Sequence, residues 1–154
     1  MEFKSYMNQA LEQARAAGAR GEVPVGAVLV DAAGAVVAAA GNETRARRDP
    51  TAHAEILVIR AAGAERLVGY DLYVTLEPCA MCAAAIAAAR IARLYYGASD
   101  PKSGGVAHGA RVFAHAQSHH VPEIYDGLGA ADAEALLKDF FARRRANDAR
   151  QTQG

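Results

Sequence analysis

The chain has 154 residues and a mass of 16.1 kDa, the size of one domain with little room for a second. Its composition, 52% hydrophobic and 22% charged, excludes a disordered chain, and no stretch approaches the roughly 18 apolar residues of a membrane span. Lys plus Arg number 17 and Asp plus Glu number 17, so the formal net charge is zero, which excludes a broadly basic nucleic-acid coat but not a local basic patch.

The opening segment sets Tyr6, Met7, Ala10, Leu11 and Ala14 at helical spacing, with Gly18 or Gly21 available to end the helix. The first residues, Met1 to Ser5, lack a basic region followed by an apolar core, so no signal peptide is expected. Val23 to Val30 is rich in β-branched residues and reads as a strand, with Pro24 at its start. Asp31 to Gly34 is a turn signal, and Ala35 to Ala40 is expected to return antiparallel as a hairpin. A polar, Arg-rich loop follows from Gly41 to Arg48. Asp49 and Pro50 then read as the cap and first position of a helix that runs to about Gly63. Leu72 to Leu76 is a short strand broken by Glu77-Pro78, and Cys79 to Ala89 has the alanine content of a helix. Ile91 to Gly97 is another strand, Ser99 to Gly109 a Gly-rich loop, and Glu123 to Tyr125 a short strand or extended connection.

The last element places Ala133, Leu136, Leu137, Phe140 and Phe141 on one face of an amphipathic helix, which is expected to end in Arg143-Arg144-Arg145. Residues from about 146 to 154 are expected to form a disordered tail to a single domain spanning 1–154. A strand, helix and strand around Cys79 imply a parallel pair joined by a crossover. The fold class is therefore α/β, a mixed sheet flanked by helices on both faces.

The two cysteines are three apart in Cys79-Ala80-Met81-Cys82, directly after Pro78, too few for a disulfide scaffold. Alone, such a pair reads as a redox dithiol, a disulfide or half of a metal site. His53 lies 26 residues before Cys79, and each motif falls near the start of its own helix. Side chains there tilt toward the helix N-terminus, so two facing helix ends can aim His53, Cys79 and Cys82 at one point. Helix N-termini also favour the thiolates a metal needs. One imidazole and two thiolates are the ligands of a catalytic zinc site, with one tetrahedral position left for water. Glu55, two residues past His53, points to the opposite side of an ideal helix, and spacing alone does not bring it to the metal. If the tilt at the helix end does so, it can serve as a general acid/base without being a ligand.

His53-Ala54-Glu55 with Pro78-Cys79-Ala80-Met81-Cys82 resembles the zinc-dependent cytidine and adenosine deaminase superfamily. Val23 to Val30, Asp49 to Ile56, Leu72 to Cys79, Asp100 to Gly104 and Phe140 to Arg145 look like one branch, the bacterial tRNA-specific adenosine deaminases. The resemblance covers roughly Tyr6 to Arg145. It implies a three-layer α/β/α cytidine-deaminase-like fold with a central mixed five-stranded sheet. It further implies one zinc per chain on His53, Cys79 and Cys82, and Glu55 as the catalytic proton shuttle. The reaction implied is conversion of adenosine to inosine at the wobble position (34) of tRNA. Asn42, Ala54, Asp100, Lys102 and Arg144 are the substrate contacts it implies. The anticodon loop of an arginine tRNA, a homodimer, a cytoplasmic location and no membrane association complete the expectation. The alanines of Ala80 to Ala89 would let a helix of a second copy approach closely, although packing of this helix on its own sheet accounts for them more simply.

Two other functions remain open on the residues themselves. A deaminase of free guanine, cytosine or cytidine would share the zinc motifs and suit the neutral charge. A non-catalytic zinc or RNA-binding module would not need Glu55, because structural zinc requires no general base. His119-His120 reads as loop polar residues, since the zinc set is complete without them. Arg45, Arg47 and Arg48 crowd one loop where helix propensity does not ask for them.

Overall fold

The computed structural model describes residues 3–153. Helix α1 (Met7–Ala19) leads into strands β1 (Gly26–Val30) and β2 (Val36–Gly41), followed by α2 (Ala54–Ala62), β3 (Asp71–Leu76), α3 (Ala80–Ala89) and β4 (Arg93–Ala98). A single 3-10 turn at Val112–Ala114, the short strand β5 (Glu123–Tyr125) and the long α4 (Ala130–Gln151) complete the chain. The five strands form one sheet in the order β2-β1-β3-β4-β5. Strand β1 is antiparallel to both β2 and β3, whereas β3, β4 and β5 run parallel. Helix α3 makes the crossover between β3 and β4, as a parallel neighbour requires.

Alternation along the strands divides the apolar side chains between two faces. Ala27 and Leu29 of β1, Leu72 and Val74 of β3, and Leu94 and Tyr96 of β4 pack with Ala54 and Val58 of α2 and Ala83 and Ile86 of α3. On the other face, Val28, Val30, Tyr73, Tyr95 and Ala98 pack with Met7, Ala10 and Leu11 of α1 and Ala133 of α4. All five residues of β1 are buried, because helices cover both of its sides. The layers are therefore α2/α3, sheet, α1/α4, the three-layer arrangement the sequence leads one to expect. No helix among the described residues is long and apolar enough to cross a membrane.

The structure departs from the sequence reading in two places. Helix α2 starts at Ala54 rather than Pro50. The Asp49 carboxylate instead accepts the Thr51 N–H (2.8 Å) and hydroxyl (2.7 Å), closing a local turn that competes with the helix. At the other end, α4 does not stop at the triple arginine but continues to Gln151, through much of the stretch expected to be a tail. Ala146, Ala149, Arg150 and Gln151 are good helix formers, and no Gly or Pro interrupts them. Arg143, Arg144 and Arg145 thus sit within the helix, so complementing the helix dipole at its end does not account for them.

Candidate active site

Strand β3 ends at Leu76, and the chain turns through Glu77-Pro78 into α3 at the carboxyl edge of the sheet. Residue Cys79 is the N-cap of α3 and His53 the N-cap of α2, both with extended backbone (φ −70°, ψ 174° and φ −72°, ψ 151°). Each cap carbonyl accepts the first helical bond of its own helix, from Ala83 and from Leu57. Neither side chain caps its helix. They turn toward each other instead: His53 Nδ1 lies 3.6 Å from Cys79 Sγ and 3.4 Å from Cys82 Sγ. The three potential ligand atoms fall within 4.8 Å of one another, a donor set and spacing that fit one zinc ion.

Glu55 is buried, yet it lines the same cavity as His53 and Cys79. The tilt at the helix end therefore brings both side chains of the His-Ala-Glu motif over one rim. Burial raises the Glu55 carboxyl above its ordinary range, against the pull of its own backbone N–H and of His53. The sulfur pair is polarised. Cys79 is pulled down to about 4 by hydrogen bonds from Cys82 and His53 that outweigh its burial, while Cys82 is pushed up by Cys79 and by burial. The Cys79 contact raises His53.

The cavity, about 220 Å³, is also lined by Val23, Val25, Asn42, Asp100 and Ser103. Asn42 Oδ1 accepts the Ala54 N–H at 2.9 Å, which anchors the start of α2 and leaves the amide NH₂ as its remaining donor. Ala54 itself is fully buried, its N–H committed to Asn42. Lys102 and Arg144 are exposed outside the cavity. His119 is exposed, and His120 Nε2 donates to the Ile91 carbonyl at 2.6 Å, a structural contact away from the ligand cluster.

Two buried carboxylates that the sequence did not single out hold the loops around this cavity. Glu22 accepts the N–H groups of Arg45 (3.0 Å) and Ala46 (2.9 Å), which fixes the Arg-rich loop against the end of α1. Glu77 gathers the backbone of the loop after β4. Burial works to raise its carboxyl, but the Asp100 N–H, the His108 ring and the Val106 and His108 N–H groups hold it below the ordinary range. An acidic residue next to a strand end is usually solvated, so no sequence signal marks either one.

Residues 1–98 match the family model for the cytidine and deoxycytidylate deaminase zinc-binding region. The chain belongs to that deaminase family. The tRNA-specific adenosine deaminase of Agrobacterium fabrum (strain C58) is 56% identical to this deaminase over 147 residues, covering 93% of the chain and 96% of the relative. The enzyme of the same name from Rickettsia felis is 47% identical over 144 residues, covering 90% and 100%. A solved structure from a study of A-to-I editing by tRNA:A34 deaminases at the wobble position of transfer RNA superimposes with a TM-score of 0.84. It is 57% identical and covers 86% of this deaminase and 98% of its own chain. With its zinc-binding motifs assembled, this protein is a zinc-dependent hydrolytic deaminase.

Proposed function

We propose that the protein converts adenosine at the wobble position of tRNA to inosine, with release of ammonia. The observation that supports this reading best is the identity of 56% across almost the whole length of a tRNA-specific adenosine deaminase. The site carries the matching chemistry. His53, Cys79 and Cys82 hold the zinc, which supplies a Lewis acid that makes water nucleophilic near neutral pH. Glu55 takes one proton from the attacking water and hands it to the purine ring nitrogen. It then takes the second from the new hydroxyl and passes it to the amine, which leaves as ammonia while the carbonyl of inosine forms. Its buried carboxyl has a raised affinity for that proton, as a shuttle needs.

Asn42 Nδ2 hydrogen-bonds the base, and Asp100 at the pocket wall meets the nucleotide that enters with it. Lys102 and Arg144 supply cationic contacts outside the pocket, in an arginine tRNA anticodon loop. The wobble base reaches the pocket by flipping out of its loop. Ala54, its methyl buried in the core, contributes through its N–H, which holds Asn42 beside the pocket. The enzyme works as a homodimer in the cytoplasm. The small outer face of α3, with Ala84 and Ala88 exposed beside Ala110 and Val112, suits the approach of a second copy.

The formal net charge of zero favours a second reading, deamination of a free base or nucleoside such as guanine, cytosine or cytidine. One experiment separates the two. The zinc-loaded protein is incubated with an arginine-tRNA anticodon stem-loop bearing adenosine at the wobble position and, separately, with free bases and nucleosides, and inosine and ammonia are scored. Conversion of the stem-loop alone is expected. Conversion of guanine or cytosine without the stem-loop would transfer the function to the second reading.

A further inference from the structure

The Glu77 side chain has no solvent exposure and five hydrogen-bond donors around its carboxylate. Its Oε1 accepts the Asp100 N–H (3.1 Å) and the His108 Nδ1–H (2.7 Å). Its Oε2 accepts the N–H groups of Val106 (3.2 Å), Ala107 (3.1 Å) and His108 (3.2 Å). All five donors belong to one loop, between β4 and the 3-10 turn. An anionic carboxylate, acceptor-only with about four lone-pair sites, is the side chain that best matches such a set of donors.

The same loop is seated directly on the start of α3. Gly105 N–H donates to the Pro78 carbonyl at 2.8 Å. A Cβ on Gly105 would strike the backbone of Ala80 and Cys79, and one on Gly104 would strike the Glu77 carboxylate and the Asp100 carbonyl. Between the two anchors, Gly104 N–H returns to the Asp100 carbonyl (2.8 Å) and Ser103 N–H to Asp100 Oδ1 (3.0 Å). That turn presents Lys102 at its tip and lays Asp100 and Ser103 along the cavity wall. Glu77 is therefore two residues from Cys79 along the chain and, through its carboxylate, bonded to the loop that lines the cavity with Asp100 and Ser103.

We propose that Glu77 is a positioning residue of the deaminase, which ties the loop of Asp100, Lys102 and Ser103 to the peptide that carries Cys79. This rests on the reading that the loop contacts the RNA around the flipped base. Glu77 borders the cavity, but its side chain has no solvent exposure and both of its oxygens are spent on the loop, so it acts through the loop. Since Glu55 and His53 are held by α2, loss of the tie displaces the substrate wall and leaves the proton shuttle in place. The consequence falls on substrate binding, not on the chemical step.

Glu77→Gln keeps the volume but sets an NH₂ against backbone donors. The test compares it with the parent as zinc-loaded proteins, by metal analysis, steady-state kinetics on the stem-loop and amide hydrogen exchange. Expected are one zinc per chain, a kcat/KM lower by about 10²-fold carried mainly by KM, and fast exchange confined to Asp100, Val106, Ala107 and His108. A variant with full zinc and parental KM, or with parental exchange at those four amides, overturns the proposal. So does loss of zinc, which would make Glu77 a support of the metal site. If Glu77→Gln does not fold, His108→Asn carries the test, because the His108 side chain is partly exposed and supplies one donor of the five, the other His108 donor being its backbone N–H. It should raise KM and speed exchange at residues 106–108, and no change in either overturns the proposal. If the parent converts free bases and not the stem-loop, the proposed RNA substrate fails, and the exchange measurement still decides the tie.

Discussion

At the scale of single residues, the proposed metal ligands and the proposed proton carrier differ in where each side chain leaves its helix. His53 and Cys79 occupy cap positions, so their side chains are free of helical packing and converge at 3.6 Å. Glu55 begins inside α2, buried, and reaches the same cavity from the side. Two substitutions should tell these roles apart. Cys82→Ser removes a buried sulfur ligand, and most of the zinc should be lost together with some stability, because metal binding contributes to folding. Glu55→Ala should keep its zinc while activity drops by about 10²–10⁴, the range of a general acid/base. Elemental analysis beside an ammonia assay reads both. Normal turnover by Glu55→Ala, or its arrival without metal, would contradict the shuttle role.

At the scale of elements, the beginning of α2 shows how a helix end can be built for function. A residue such as Asp, Asn or Ser at the cap ordinarily bonds to its own helix. Here His53 holds the cap position and is reserved for the metal, so the capping bond comes from Asn42, twelve residues earlier. Asn42 thus has two duties, its carbonyl toward Ala54 and its amide toward the pocket. Asn42→Ala should lower the unfolding free energy by about 0.5–2 kcal/mol, as loss of a cap does, and should also lower activity. Chemical denaturation measures the first effect. An unchanged midpoint would mean that α2 starts as firmly without the bond. Helix α4 illustrates the reverse situation. Only Ala133 is buried, Leu136, Leu137 and Phe140 are half-covered, and Phe141 is exposed, so this helix relies on propensity over its last turns.

At the scale of the whole molecule, a neutral chain can still favour RNA if its cations gather near the pocket mouth. Arg45, Arg47 and Arg48 lie in the loop pinned by Glu22, Lys102 in the loop pinned by Glu77, and Arg144 on the exposed side of α4. Stem-loop deamination should therefore weaken with salt by a slope of about −0.7 for each phosphate neutralised. Substituting Lys102 and Arg144 by Ala should flatten that slope and leave zinc content unchanged. A slope identical to the parent would remove these two residues from the RNA contact. The dimer is checked by light scattering at working concentration, where the mass should be twice the 16.1 kDa of one chain.

Much of this was legible in the residues themselves. The ligand set His53, Cys79 and Cys82, the β3-α3-β4 crossover and the division into helices and strands follow from local pattern. Metal-ligand types at fixed spacing, alternation of period two and helical faces are properties of short segments. Whether Glu55 reaches the cavity of His53 and Cys79 was not legible, because the answer depends on the tilt of a helix end against a second helix. Asp49 misled as a cap for a related reason: an Asx turn and a helix cap use the same side-chain oxygen, and the packing of the Arg-rich loop chose between them. The anchors Glu22 and Glu77 were invisible for the strongest reason. Their partners lie 23 to 31 residues away in the chain, and burial of a carboxylate is decided only when distant backbone donors close around it. Sequence determined which atoms can bind zinc and which segments carry them. Tertiary structure decided which loops wall the pocket, since that rests on hydrogen bonds between segments that no local pattern encodes.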